Sequence, residues 1–222
     1  MNDQTTHSKE YEYSPHGVSV LYRDETIVVL DKPSGLLSVP GIGLDKRDCL
    51  AVRVASAVEG ARIVHRLDRD TSGVIIMAND RASHRELSRQ FQDREVGKTY
   101  EAIVYGIVKQ DEGVIQLPIR KDLENPPKQC VDHLQGKPSE TRWKVLERLE
   151  DRSRLLLFPK TGRSHQLRIH LREIGHPILG DDLYATQDQQ AMADRLLLHA
   201  TSLSVVHPVT KQPMTFETSA QF

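Results

Sequence analysis

The feature that most constrains this chain is a short charged segment between two apolar runs. The runs are residues 62–64 and 74–78, and β-branched runs of this length are typical of buried strands. The segment between them contains two arginines, two aspartates and the turn formers Thr, Ser and Gly. A loop fixed between two core strands holds its side chains on a rigid frame, where catalytic groups tend to lie. The pattern therefore predicts a functional loop.

Asp68 is the notable residue of that segment because Arg66 and Arg69 flank it. Nearby guanidinium groups favour the charged form of a carboxylate, and an ionised carboxylate suits a nucleophile or a base better than a proton donor. An Asx-type turn with exposed ion pairs fits the same spacing equally well. The residues alone leave both interpretations open.

Composition places the chain among ordinary globular proteins. The 222 residues are 38% hydrophobic and 27% charged, enough for one large domain or two small ones. No apolar run is long enough to span a bilayer and no apolar signal opens the sequence, so we expect a cytoplasmic protein without membrane contact. Cys49 and Cys130 are far apart, which argues against a disulfide framework and a structural zinc site. Since the formal net charge is −1, any polyanion has to be met by a local basic face.

The order of apolar and polar segments predicts an α+β fold, with a central mixed, mostly antiparallel sheet and flanking helices and loops. Residues 1–17 are predicted to be a flexible tail and residues 18–222 a single catalytic domain. Helices are predicted at 48–58 and from Asp80, as the N-cap, to about Val96. Residues 120–136 are predicted to be an irregular, exposed excursion. The turn-rich loop 31–41 could be an ordinary connection or a binding element. The predicted strands cover residues 18–22, 26–30, 98–108, 113–119, 139–148, 154–159, 196–200, 202–207 and 214–218.

A second charged cluster occupies residues 160–170, where a strand ends and a helix begins. Leu167, Leu171 and Ile174 are spaced as the core side of that helix. Arg168 lies beside them, and a partly buried arginine needs an anionic partner, for which we expect Asp68. His165 and His170 do not share a helical face, so we expect local hydrogen bonding there and no metal site.

Arg81, Arg85 and Arg89 recur every four residues and form one basic stripe on the predicted helix after Asp80. Such a stripe is usually a solvated face. If RNA binds, it is also a natural phosphate-contact surface.

Six segments occur in order along residues 18–222, at 32–36, 65–68, 98–100, 161–168, 175–181 and 198–200. Together they make the chain resemble the RluA family of pseudouridine synthases. The resemblance implies the catalytic fold of these enzymes without their S4-type RNA-binding domain, because the first 17 residues are too short for one. It also implies that uridine in RNA is converted to its C5-glycoside isomer with no metal and no cofactor.

The resemblance also implies roles for single residues. Asp68 aligns with the catalytic aspartate, Arg168 with the arginine that pairs with it, and Tyr100 with the tyrosine near the target base. Arg66 aligns with the arginine that replaces the flipped nucleotide in the RNA. The Arg69-Asp70 pair is more charged than is common in relatives, which we interpret as an adjustment of local RNA contacts. Further substrate-binding residues are predicted to be His65, Arg69, Thr71, Arg163 and His165.

The expected substrate is a structured RNA loop, in 23S rRNA and in the anticodon stem-loop of tRNAs, bound by a monomer. The target nucleotide has to be extruded from its stack. The Asp68 carboxylate could then attack the sugar, attack the ring or remove a sugar proton. Two alternatives stay open, an RNA-binding module without catalysis and a synthase that acts on only one RNA. A small-molecule hydrolase is disfavoured because no phosphate-cradling glycine loop is present.

Overall fold

The structure is a computed structural model, and it describes residues 17–43 and 47–222. The predicted tail, apart from Gly17, lies outside the described residues. The described helices are α1 (Leu50–Ala55), α2 (Arg81–Gln92), α3 (Gln166–Glu173) and α4 (Gln187–Ala191). The described strands are β1 (Ser19–Arg23), β2 (Ile27–Lys32), β3 (Arg62–Ile63), β4 (Ser72–Ala78), β5 (Gly97–Tyr105), β6 (Glu112–Ile115), β7 (Ile119–Lys121), β8 (Gln129–Val131), β9 (Thr141–Arg148), β10 (Arg152–Pro159), β11 (Leu198–Val206) and β12 (Pro213–Glu217).

Ten of the described strands form one sheet in the order β1-β2-β4-β11-β5-β10-β9-β6, with β12 beside β11 and β3 beside β4. Strands β4 and β11 run parallel at Ser72–Gly73 and His199–Ala200. Every other described pair in the sheet is antiparallel. The predicted α+β class with a mixed, mostly antiparallel sheet is confirmed.

The centre of the sheet is buried on both faces. All seven residues of β4 are buried, because Leu50 and Val54 of α1 pack against one face and Leu87 of α2 packs against the other. The start of α2 is fixed by Asp80, whose Oδ1 accepts the N–H of Ala82 and of Ser83 at 2.7 and 2.9 Å. The second apolar run is therefore a core strand, whereas the first forms only the short, half-buried strand β3 beside it. The charged segment between them is anchored at both ends.

A third packing layer places α3 against β5 and β10. Leu167 and Leu171 are buried there, Ile174 packs beside them, and Ala102 and Val104 of β5 lie beneath. The predicted core side of this helix is confirmed. The layer brings the start of α3 next to the sheet position at which β4 begins, although the two segments are far apart in the sequence.

Several predicted elements differ in the structure. Residues 120–136 are not irregular throughout, because β7 and β8 pair as a separate hairpin that packs through Ile119 on Ile169 and Tyr184. The strand predicted at 113–119 is split into β6 and the start of β7, and the strands predicted at 196–200 and 202–207 form the single strand β11. Helix α2 ends at Gln92, before the predicted Val96. No described helix is long and apolar enough to cross a membrane.

Candidate active site

The charged segment, the first residues of β5 and the start of α3 surround one cavity of about 640 Å³. The predicted site residues on its wall are Arg66, His65, Asp68, Thr71, Tyr100, Arg163, His165 and Arg168. Arg69 is not on the wall. Its guanidinium pairs with Asp70 at 2.9 Å and with Asp182 at 3.3 Å, and just over half of its side chain is exposed.

The turn that contains Asp68 is braced by the loop at residues 31–41. Ser38 Oγ donates to the Leu67 carbonyl at 2.7 Å and accepts the Leu67 N–H at 3.1 Å. Ser34 Oγ donates to the Asp70 carbonyl at 2.8 Å. These bonds tie two loops together through backbone atoms, so they fix the turn without using its side chains. The loop left open in the sequence is thus a support for the candidate site.

Lys32 is a supporting residue that the site prediction did not include. Its side chain is fully buried, and Nζ donates to the carbonyls of Pro33, Leu36 and Arg69 at 2.8, 2.7 and 2.9 Å. Burial lowers its pKa to about 8, opposed by the nearby charges of Asp70 and Asp68. The sequence feature that could have predicted this role is the position of Lys32 at the start of the Lys-Pro-Ser-Gly segment, where one cation can bind several turn carbonyls.

The Asp68 carboxylate has no side-chain hydrogen bond among the residues that the structure describes. Its backbone carbonyl accepts the Thr71 N–H at 3.2 Å, which closes the turn. Its charge acts on Tyr100, where burial first and Asp68 second raise the pKa of the phenol above its ordinary value. Tyr100 is therefore a neutral phenol at physiological pH, next to an uncapped carboxylate.

Arg168 departs from the prediction in its choice of partner. Its side chain is 3% exposed, and it hydrogen-bonds Asp181 through two nitrogens, Nε to Oδ2 at 2.8 Å and Nη2 to Oδ1 at 2.6 Å. Nη2 also donates to Asp182 at 2.8 Å. Burial lowers the pKa of Arg168, but Asp181 and, through space, Asp68 raise it above the ordinary value. The expected hydrogen-bonded pair with Asp68 is thus replaced by a pair with Asp181, a residue whose signal in sequence was only the Gly-Asp step after residue 179.

His165 stands at the start of α3 in the left-handed region, at φ 54°. Its Nδ1 lies 2.7 Å from the hydroxyl of Tyr184, which also accepts the Gln129 N–H at 2.8 Å. Burial lowers the pKa of His165, so this side chain is neutral at physiological pH. Tyr184 was not predicted, and it connects the β7–β8 hairpin to the wall of the cavity.

The remaining predicted residues differ in how freely they face the cavity. His65 stacks on Phe91 with ring centroids 4.4 Å apart, and its Nε2 accepts the Ile76 N–H at 3.2 Å. The Arg163 guanidinium makes only a long bond, from Nη2 to the Pro138 carbonyl at 3.4 Å, and its Nε has no partner among the described residues. Thr71 is buried. Arg163 therefore retains donors for a ligand.

The charge of the cavity is opposite to that of the chain. Among the described residues on its wall, Asp68 is the one carboxylate. Six cations accompany it, namely Arg66, Arg94, Lys98, Lys160, Arg163 and Arg168. A concave, cationic surface concentrates polyanions, and this one has an ionisable carboxylate in its wall.

These features suit a protein that binds a polyanion, and comparison with known proteins identifies the family. Residues 26–173 match the RNA pseudouridylate synthase family. The chain belongs to the RluA family of pseudouridine synthases and isomerises uridine in RNA to pseudouridine.

Named relatives agree over nearly the whole chain. The dual-specificity RNA pseudouridine synthase RluA of Yersinia pestis is 50% identical over 91% of this chain and 99% of its own length. The protein of the same name from Haemophilus influenzae is 44% identical over 95% and 98%. Among solved structures, human RNA pseudouridylate synthase domain containing 1 is 30% identical, with a TM-score of 0.78 over 94% of this chain and 86% of that one.

Proposed function

We propose that the Asp68 carboxylate begins the isomerisation of uridine. The observation that supports this most is its setting, an uncapped carboxylate on the wall of a cavity that otherwise presents cations. A carboxylate without hydrogen-bond donors keeps its oxygens available for reaction. It can attack C1′ of the sugar, attack the uracil ring or remove a sugar proton, and each of these routes begins at the Asp68 carboxylate.

The reaction is a balanced rearrangement. The C1′–N1 bond breaks, the uracil turns, and a C5–C1′ bond forms, while C5 loses its proton and N1 gains one. These atoms cannot be reached inside a stacked loop, so the nucleotide has to be flipped out. Arg66 is exposed, faces the cavity and precedes Asp68 by two positions, which suits it to fill the gap in the RNA. The neutral ring of Tyr100 suits stacking on the extruded base.

The cations of the cavity suit the phosphates on either side of the flipped uridine. Arginine and lysine release counterions when they bind a nucleic-acid backbone, and this release supplies much of the affinity. Lys98 belongs to β5 and Arg163 to the segment before α3, and both line the cavity, so they suit contacts with the phosphates of one bent strand. His65, Thr71 and His165 are neutral in this setting and suit contacts with the nucleotide itself.

The substrates we propose are 23S rRNA and the anticodon stem-loop of tRNAs. The relatives named as dual-specificity enzymes support two kinds of RNA for this chain. We also propose that the protein acts in the cytoplasm as a monomer. Light scattering of the purified protein should give the mass of one chain, and a two-chain mass would contradict the monomer.

The test is the isosteric variant Asp68→Asn, assayed by tritium release from 5-tritiated uridine in a 23S rRNA fragment and in an anticodon stem-loop. We expect release to fall by more than about 1,000-fold on both RNAs, because the amide is a poor nucleophile and a poor base. RNA binding should persist.

The matched control is Asp70→Asn, two positions later in the same turn. Asp70 pairs with Arg69 and is not on the cavity wall, so release at saturating RNA should stay near that of the unmodified protein. Normal turnover by Asp68→Asn would show that Asp68 is not the reacting group. If the unmodified protein converts only one of the two RNAs, the substrate is restricted to that RNA. If it binds both RNAs and converts neither, the result would favour the non-catalytic alternative.

A further inference from the structure

One edge of the Arg168 guanidinium is fully hydrogen-bonded, and the other edge is not. The Asp181 carboxylate accepts hydrogen bonds from Nε and Nη2, and the Asp182 carboxylate accepts another from Nη2. Nη1 has no hydrogen-bond partner among the described residues. Since Arg168 lies on the cavity wall beside Asp68, Nη1 is the donor left for Asp68 or for the substrate.

Asp181 is itself held firmly. Its side chain is fully buried, and its Oδ1 accepts the N–H of Leu183 and of Tyr184, each at 2.9 Å. The residue before it, Gly180, has φ +73°, and a side chain there would overlap the carbonyl of Arg195. The carboxylate is therefore fixed by the backbone on both sides before it binds Arg168.

A bidentate pair between a carboxylate and a guanidinium fixes the plane and the direction of the guanidinium. The Tyr184 ring lies 5.2 Å from the Arg168 Cζ and restricts the same group from its face. Asp182 contributes less to this geometry, because its side chain is 39% exposed and it shares its charge with Arg69.

We infer that Asp181 is a positioning residue for the isomerisation, which holds Arg168 so that Nη1 faces the reacting group. Asp181 is not on the cavity wall and acts through Arg168, which is on that wall. The inference rests on the proposed role of Asp68, since a correctly aimed donor matters only if charge develops or is held at that carboxylate. Removing Asp181 leaves Arg168 in place but releases its orientation.

The experiment measures single-turnover conversion at saturating RNA, together with the RNA dissociation constant, for Asp181→Asn. We expect the rate to fall by about 100-fold, while the dissociation constant changes by less than about threefold because the cavity cations remain. A slower rate with an unchanged affinity is what we expect when the Arg168 Nη1 donor is wrongly oriented. A rate near that of the unmodified protein, or a loss of affinity with an unchanged saturated rate, would overturn the inference.

The matched control is Asp24→Asn. Asp24 also caps the N–H groups two and three positions ahead of it, those of Thr26 and Ile27 at 2.7 and 2.8 Å, and it is remote from the cavity wall. Both variants should melt at a lower temperature, and only Asp181→Asn should react slowly. Equal rates in the two variants would show that Asp181 is only structural.

If Asp181→Asn does not fold, Asp181→Glu keeps the buried charge and moves the carboxylate by one methylene. We expect about a tenfold lower rate from this folded variant, and a full rate would overturn the inference. Activity in Asp68→Asn would instead remove the proposed function on which the inference depends, so the two failures can be distinguished.

Discussion

His65 shows at the scale of one residue how burial decides a charge state on the cavity wall. The ring is stacked on Phe91, and Nε2 accepts a backbone N–H, so that nitrogen is unprotonated. Burial first, and the nearby charge of Lys98 second, lower the pKa of His65 to about 3. A histidine next to an arginine in sequence gave no hint of this, because the burial comes from α2, which follows later in the chain.

We expect this histidine to make the fold sensitive to acid. The ordinary histidine pKa of 6.5 is higher than the pKa of His65 in the folded protein. Below pH 6.5 the unfolded chain therefore binds a proton at His65 that the folded chain does not bind. The stabilisation is complete above about pH 6.5 and is lost as the pH falls towards 3. Between pH 6.5 and 4.5 the contribution of His65 to the free energy of unfolding should fall by about 2 kcal/mol.

The measurement is urea unfolding of the protein and of His65→Gln at several pH values. Glutamine does not titrate and can still accept the Ile76 N–H, so subtracting its free energy of unfolding removes the effect of the other acidic groups. The difference between the two proteins should shrink steadily below pH 6.5. A difference that stays constant down to pH 4.5 would contradict the lowered pKa.

At the scale of the element, the sequence predicted best where burial dominates. The prediction of strand β4 was correct because both faces of the strand are covered, so that every residue in it is apolar or small. The short hairpin of β7 and β8 was missed because each strand has three residues and mixed burial. Its pairing is stabilised by contacts with α3 and Tyr184, which no local pattern contains.

Helix α4 was missed for a different reason. None of its residues is buried, so it has no apolar periodicity from which it could be predicted. It begins with a capping box, in which Thr186 and Gln189 satisfy each other's backbone N–H groups. That signal was present in the sequence as Thr-x-x-Gln.

Gly73 joins the turn that contains Asp68 to the sheet, and we expect that no other residue can replace it. Its φ is +111°, and a side chain would overlap the backbone of Ala200 on the parallel neighbour β11. Gly73→Ala should cost at least about 3 kcal/mol in the free energy of unfolding, since neither backbone can move without breaking the pairing. Conversion of uridine should fall with it, because the Asp68 turn enters β4 here.

The control for this prediction is Gly35→Ala. Gly35 also has a positive φ, +83°, but no atom lies within 4 Å of the position that a side chain would take. Its cost should be limited to the backbone strain, about 1 kcal/mol. Denaturant unfolding of the two variants measures the difference, and equal costs would mean that the contact with β11 can relax.

At the scale of the whole molecule, the candidate site is an assembly of distant segments. The sequence predicted Asp68 and Arg168 to be residues of one site, because a partly buried arginine needs an anionic partner and because the family resemblance implies this pair. It did not identify Asp181 as the partner of Arg168, because every nearby carboxylate is a possible partner until the fold excludes the others. It also left two interpretations of the basic stripe of α2, a solvated face and a phosphate-contact surface.

The charges of that stripe are distributed unevenly. Arg89 is bound by Glu86, Asp93 and Glu95 at 3.0, 3.0 and 2.8 Å, so its charge is compensated within the protein. Arg81 and Arg85 are exposed on the same helix. Beyond the end of α2, Arg94 and Lys98 face the cavity instead, and burial first and the Arg94 charge second lower the pKa of Lys98. Two like charges this close favour an anion between them.

We therefore expect the salt dependence of RNA affinity to come from the cavity rather than from the stripe. The double variant Arg94→Gln/Lys98→Gln should reduce the slope of log affinity against log salt by about 1.4, at about 0.7 for each lost phosphate contact with single-stranded RNA. Arg81→Gln/Arg85→Gln removes the same net charge and should leave the slope unchanged. Filter binding across a salt series measures both slopes. Equal reductions would mean that the RNA leaves the cavity across α2, so that the exposed stripe continues the path of the phosphates.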